Sequence, residues 1–531
     1  MMADDETVIS IAEHVAKAKR PQTDSRARTI EIRPDALHII ASEAEAALID
    51  ADTPFYVRGG GGGIVRPVVD EVAASHGKRT KVARLNTVTV NNMVDHLSRA
   101  AHWVKFNQRK KDLVPTDPTP AIAGIILERE GEWLFPVIAG VITTPTLRPD
   151  GTILMHPGYD QQTRLLLVEP PKLPPIPEKP TKDDAIEALR TLNTLLVDFP
   201  FVDQASHSVA LSAILTPVSR GAVSVAPLHA TTAPVPGAGK SYVIDIASCI
   251  GTGEPAPVIA AAPKEEETEK RLVAALIGGQ AIISIDNVNG QLGGDLLCQM
   301  IERPVVQPRI LGSSKLVKIE SRATCFATGN NIQLVGDMTR RVVVCSLDPG
   351  VERPELRRFK SNPRQTVMAN RGKYIAAALT IMRSYAVAGY PDPCPPLASF
   401  EDWSKIVRSA LVWLGCDDPC STMEAARDDD PVMSSLRSVF GSWHKAIGNV
   451  WKTAAEMKQV AESRLFDSLS HPELNEALKE VAEDRRGDIG AKQLGKFLAR
   501  HKGRVVNGLK LKSKDDGHAN VKLWSIDNMA G

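Results

Sequence analysis

The sequence predicts an α/β chain with a parallel sheet at its centre, an α+β module before it and a basic, winged-helix-like domain after it. Three observations carry this expectation. Over residues 181–390 apolar strand candidates alternate with helices, the mark of a parallel sheet. Inside that stretch a glycine-rich turn, Ala233-Pro234-Val235-Pro236-Gly237-Ala238-Gly239-Lys240-Ser241, separates an apolar run from a helical one. Residues 491–524 hold nine Lys/Arg against two acids, an excess of seven positive charges in a chain whose overall net charge is only +1.

Composition sets the bounds. A chain of 531 residues suggests roughly three or four domains, and 43% hydrophobic with 24% charged residues is ordinary globular usage. The net charge of +1 gives no global attraction to nucleic acid, so such binding must come from local patches. The start, Met1-Met2-Ala3-Asp4-Asp5-Glu6, is acidic and unlike a secretion signal, and no apolar run approaches ~18 residues. A soluble, cytoplasmic protein with no membrane partner is expected. Seven scattered cysteines without a CxxC pair argue against a zinc ribbon and a disulfide scaffold; Cys416 and Cys420, one helical turn apart, read as buried thiols.

Residues 1–110 form the N-terminal α+β module. Pro34 to Ile49 has helical spacing, and Asp50-Ala51-Asp52 reads as a cap and turn rather than a metal pair. Phe55-Tyr56-Val57-Arg58, the glycines Gly59 to Gly63 and Ile64 to Val69 suggest a hairpin around a flexible turn. A further helix is expected from Thr89 through Trp103. Residues 111–180 are strand-rich: Glu132 to Ile142 reads as buried, Leu147 to Gly151 as a turn, and Glu169 to Pro180 as a stiff proline-rich linker spacing the module from the central domain.

In the central domain the glycine-rich turn has the context of a phosphate-binding loop. Strand, turn and helix would let backbone N–H groups and a helix N-terminus surround phosphate oxygens, with Lys240 on the β/γ-phosphates and Ser241 on Mg²⁺. Pro236 to Tyr242 form the candidate nucleotide-contacting stretch. Pro234 stands where the usual pattern opens with Gly. Pro257 to Ala262 is a second strand, followed by the charged helix Lys264 to Leu272. The third, Ala281 to Asp286, ends in a carboxylate able to hold magnesium. The fourth, Ala323 to Gly329, ends in Asn330-Asn331. This order of loop, acid-tipped strand and Asn-tipped strand makes a P-loop NTPase the reading of choice, with ATP and Mg²⁺ as cofactors.

Between the last two strands, Val305 to Leu311 and Lys315 to Glu320 flank Gly312-Ser313-Ser314 as a hairpin with Lys315 and Lys318 at and near its tip. It reads either as a surface flap or as a pore element that tracks a phosphate backbone. Arg340-Arg341, just ahead of the strand Val342 to Cys345, are either structural ion-pair partners or groups that reach a neighbour's γ-phosphate. Residues 391–450 are helical, with packing the simplest role for Trp403 and Trp413. In 451–531 a helix Ile489 to Arg500 precedes two strands joined by a turn at Lys514 to Gly517. Lys492, Lys496, Arg500 and Lys502 are the candidate DNA contacts.

Taken together, Gly237-Ala238-Gly239-Lys240-Ser241, the strand ending at Asp286, the basic hairpin, Asn330-Asn331, Asp337-Met338-Thr339-Arg340-Arg341 and the tail resemble the superfamily 3 or AAA+ helicase half of phage and plasmid primase-helicases. More closely, the chain resembles the ATP-binding proteins of prophages and integrative elements, through Gly140 to Gly151, Glu267 to Leu272, Ser284 to Gly290 and Val412 to Gly415. The resemblance implies a hexameric ring that hydrolyses ATP and moves along DNA during replication of a mobile element. No primase catalytic set is visible, so a primase would be a separate partner.

One position departs from that pattern. AAA+ enzymes usually place Glu directly after the strand acid, and this chain has Asn287, whose amide cannot act as a base. Asp286 does double duty, or Glu266, Glu267 or Glu269 takes the role, or hydrolysis is slow and the ring is a switch. A helicase or translocase leads; an ATP-regulated origin-binding initiator and an NTPase scaffold are the alternatives.

Overall fold

The computed structural model describes residues 28–60, 62–73, 79–262, 265–309, 318–357, 362–428, 430–484, 486–515 and 521–529. Lys315 with the rest of the hairpin tip, Gly61, Lys264, the acidic start and the Asp516-Gly517 turn fall outside them.

The central domain is a five-stranded parallel sheet. Its strands are β1 (Leu228–Ala233), β2 (Val258–Ala260), β3 (Ile282–Leu292), β4 (Thr324–Leu334) and β5 (Val342–Ser346), in spatial order β2-β3-β4-β1-β5. Every neighbouring pair is parallel. Helices α1 (Lys240–Gly251), α2 (Glu265–Gly278) and α3 (Asp295–Glu302) make the crossovers. Ile282, Ile283 and Ile285 on β3 and Cys325, Phe326 and Ala327 on β4 are buried without alternation, as covering both faces of a parallel sheet requires.

Two strands run further than their sequences suggest. β3 does not end at Asp286 nor β4 at Asn330; they pair with each other on to Leu292 and Leu334. The register shifts between Ile285 and Val288, and Asn287 and Asn331 take left-handed backbone (φ 56° and 49°), which asparagine tolerates better than most residues. The residues that read as strand ends therefore mark a bulge and a kink.

The N-terminal module has its own core, in which Ile40, Leu48, Phe55, Met93 and Trp103 gather between helices and a three-stranded sheet. The glycine-flanked hairpin forms, Tyr56 opposite Val65. Asp50 closes its helix and Asp52 turns the chain. The helix expected to reach Trp103 stops at Ala100, because the β-prone Ala101–Asn107 adds a strand directly. Glu132 to Ile142 is less buried than expected: Leu134 is exposed, and only short strands form at Val137–Ile138 and Gly140–Ile142.

The proline-rich segment is no free spacer. Leu173 and Ile176 pack on the central core, Arg383 donates to Glu178 O at 2.6 Å, and a Cβ at Gly372 would collide with Lys172 O. Phe400, Trp403, Val407 and Met423 also join the central core. The next core starts at Leu436 and runs to Ile526, so the boundary lies near Asp430 rather than at 390 and 450. Asp430 caps helix Pro431–Ile447 through Val432 N (2.9 Å) and also accepts from Gly336 N (3.1 Å). Among the described residues no helix is long and apolar enough to cross a membrane.

Candidate functional site

The turn after β1 lies at the C-terminal edge of the parallel sheet, where crevices form in α/β proteins. Gly237 (φ 78°) and Gly239 (φ 98°) take left-handed backbone; Gly239 is the N-cap of α1. The left-handed backbone favours glycine at both positions, and at Gly237 a Cβ would also press on the Glu355 backbone. Ala238 is buried, while Pro236, Ser241 and Tyr242 are exposed.

Lys240 Nζ donates to Val235 O (3.1 Å) and to Asn330 Oδ1 (2.7 Å). Ala233 pairs with Asn330 across β1 and β4, which explains how residues ninety positions apart meet. Burial pushes the Lys240 ammonium below its ordinary value, and the nearby Asp286 carboxylate opposes that. Thr328 donates its hydroxyl to Asp286 and accepts from Asn287 N at 3.4 Å. Thr328 and Asn330 share a strand face by alternation, so this hydroxyl was visible in principle, though its neighbour was not. Asp245 on α1 accepts from Ala256 N (3.1 Å) and pairs with Arg364 (3.3 Å). Burial raises the Asp245 carboxyl, and the Asp286 charge adds to the rise.

Beside the turn is a cavity of about 450 Å³ walled by Val197, Phe199, Pro200, Tyr242 and Pro363 with the glycines. Arg364 stands over the Tyr242 ring at 5.5 Å. Val197 and Phe199 come from a loop some forty residues upstream, so nothing local in the sequence marked them. The recess is largely apolar and aromatic-lined and lies directly against the glycine turn.

The remaining candidates are distributed elsewhere. Glu267 binds Lys270 at 2.5 Å, which holds its carboxyl below the usual range. Glu265 and Glu269, on the other face of α2, line a groove with Ile285, Val288 and Gln291 of β3. Arg341 is 4% exposed and bound to Glu302 (2.5 Å) and Asp337 (2.9 Å). Arg340 keeps a more exposed head, near Asp337 at 3.2 Å and Glu302 at 3.4 Å. Both sit before β5, whose Val342 pairs with Leu228 at the start of β1. Six residues of strand, about 20 Å, separate that edge from Lys240, so neither arginine serves the loop of its own chain.

Lys318 is exposed at the base of the hairpin formed by Val305–Val306 and Ile319–Glu320. In the C-terminal module Leu494 and Leu498 anchor helix Ala491–Arg500, leaving Lys492, Lys496 and Arg500 exposed along one face with Lys502 beyond it. The two strands form as expected, Leu511 opposite Ile526, but Lys512 is paired with Asp527 (2.5 Å) and Lys514 covers Trp451 (4.5 Å).

Fold and site thus define a mixed α/β chain whose parallel sheet presents a glycine turn, a lysine, a carboxylate and a carboxamide at one edge. No family model matches the sequence, and no curated protein matches it. Among solved structures the chain is similar to two apo structures of the NrS-1 C-terminal region, each with a TM-score of 0.37 and covering 91% of this chain and 98% of that one. Identity is 9% and 10%. At those values the likeness says nothing of what this chain does.

Proposed function

We propose that the chain is a P-loop ATPase of the AAA+/superfamily 3 type that acts on DNA as a ring-shaped helicase or translocase. The observation that carries this reading is the Lys240 ammonium, held between Val235 O and Asn330 Oδ1 beside Asp286, directly above a left-handed glycine turn. Backbone N–H groups of residues 237–241 and the start of α1 would receive the phosphates of ATP, with Lys240 on the β/γ oxygens. The recess of Phe199 and Tyr242 would take the base.

Ser241 and Asp286 are hard oxygen donors, and no cluster of three metal-ligating side chains occurs among the described residues. That donor set suits Mg²⁺, which keeps waters and shares substrate phosphates, and whose chemistry here is charge neutralisation. Thr328 holds Asp286 in place. Asn330 would orient the attacking water or the γ-phosphate; as an amide it cannot take the proton, which leaves Asp286 or an acid of α2. Glu267 is engaged by Lys270, so Glu265 or Glu269 is the better placed helix acid. Arg340 would act on the site of a neighbouring copy, and Lys318 and the basic C-terminal helix would hold DNA.

ATP binding and turnover test this directly. Lys240→Ala is expected to weaken ATP affinity at least tenfold, from loss of a charge-assisted contact of roughly 1.5–3 kcal/mol; unchanged affinity removes the assignment. An active ATPase that separates no strands of a forked duplex would instead leave the origin-binding reading, which the exposed basic helix face also supports.

A further inference from the structure

Where the N-terminal and strand-rich segments meet the parallel-sheet domain, a cavity of about 60 Å³ is walled by Arg58, Arg220 and Arg322 with Gln280 and Thr144. Glu320 is the one acid in that wall, so three positive charges face one negative. That carboxylate is already taken by Arg164 at 2.7 Å, with Arg322 at 3.8 Å. Arg58 gives its two terminal nitrogens to Ile277 O (2.5 Å) and Leu276 O (2.7 Å) at the end of α2. Arg220, 7% exposed, donates to Arg322 O (2.5 Å) and Ser224 O (2.9 Å), yet its Nη1 has no hydrogen-bond partner; Arg322 donates Nη1 to Arg220 O and Gly221 O (3.3 Å each), while its Nε meets Glu320 only as the 3.8 Å ion pair, with no hydrogen bond. Burial, reinforced by the Arg322 charge, pushes the Arg220 guanidinium down to about 9, so it stays charged at neutral pH.

Buried cations with unused donors are costly unless an anion completes them. We propose that this cavity binds a small oxyanion of the phosphate or sulfate class, held by Arg220 and Arg322 with Arg58 beside it. A volume of that size admits ~4–6 water-sized groups, which matches five heavy atoms. The site would tie three segments together. Arg58 leads into the glycine turn, where a Cβ at Gly59 would strike the Glu320 carboxylate and one at Gly60 would press on the Lys318 backbone. Ile319–Glu320 is one side of the hairpin base. Oxyanion occupancy would therefore fix the hairpin base against the N-terminal module, independently of what the glycine turn at Lys240 binds.

The test uses the full chain carrying Lys240→Ala, which weakens phosphate binding at the glycine turn after β1, and the seam substitutions then separate the two sites. Inorganic phosphate is titrated by calorimetry at ionic strength held constant with chloride. One site is expected, weakened at least tenfold by Arg322→Gln and tightened severalfold by Glu320→Gln, which removes the competing carboxylate. Because either change could loosen the seam, crystals of the Lys240→Ala protein soaked in selenate provide a second readout, with anomalous density expected within hydrogen-bond reach of Arg220 Nη1. Affinity indifferent to both substitutions, no binding, or density only elsewhere with water alone in the cavity would overturn the proposal.

Discussion

Arg340 and Arg341 are neighbours in sequence and opposites in environment. Arg341 is buried against Glu302 and Asp337, while Arg340 keeps its head partly in solvent. Removing Arg341 takes the shortest ion pair from Glu302, which keeps the Ser399 hydroxyl and Arg340, so Arg341→Ala is expected to cost about 1–3 kcal/mol in urea unfolding. Arg340→Ala should leave unfolding within ~1 kcal/mol and lower ATP turnover by about 10³; full turnover would return both arginines to a structural role. Hydrogen bonds from Arg340 and Arg341 hold the Asp337 carboxyl down to about 2. A depressed carboxylate contributes stability above its unfolded pKa of about 4 and loses it as pH falls toward 2. Since the side chain is 67% exposed, screening leaves less than ~1 kcal/mol. Asp337→Asn should flatten the stability profile in that window and nowhere else. The residue types were legible in the sequence, but which arginine is buried was not, because burial depends on Glu302 nearly forty positions away.

At the scale of elements, β3 and β4 form the frame of the site through one hydroxyl. Thr328 on β4 bonds both Asp286 and the Asn287 N–H of β3, across the bulge where Asn287 turns left-handed. Thr328→Val keeps shape and removes those bonds. Turnover is expected to fall about tenfold to a hundredfold, with ATP affinity measured without magnesium nearly unchanged; an equal loss in both would mean that Thr328 only supports the strands. The strand order of types was readable from apolar runs, yet their lengths were not. Asn287 and the Asn330-Asn331 pair read as ends because asparagine favours turns, whereas here it accommodates irregular backbone within a continuing ladder.

Across the whole molecule, three main cores divide the chain, and the last begins beyond Asp430. The basic helix face therefore belongs to a module with its own hydrophobic support. Replacing Lys492, Lys496 and Arg500 by Ala together should weaken duplex binding and reduce its log-salt slope by about 2–3, with the melting of the chain unaltered. An unchanged slope would show that this face meets solvent alone. The sequence by itself determined the alternation of strands and helices, the glycine-lysine turn, the acid and amide beyond it, and the basic tail, because each is written in local spacing and residue type. Only the tertiary structure decided that Asn330 faces Lys240, that Phe199 walls the cavity beside the turn, that the proline-rich segment packs against the central core, and that three arginines line one small cavity with a single carboxylate at the seam. Those are contacts between distant segments, fixed by sheet register and close packing, and no window of neighbouring residues encodes them.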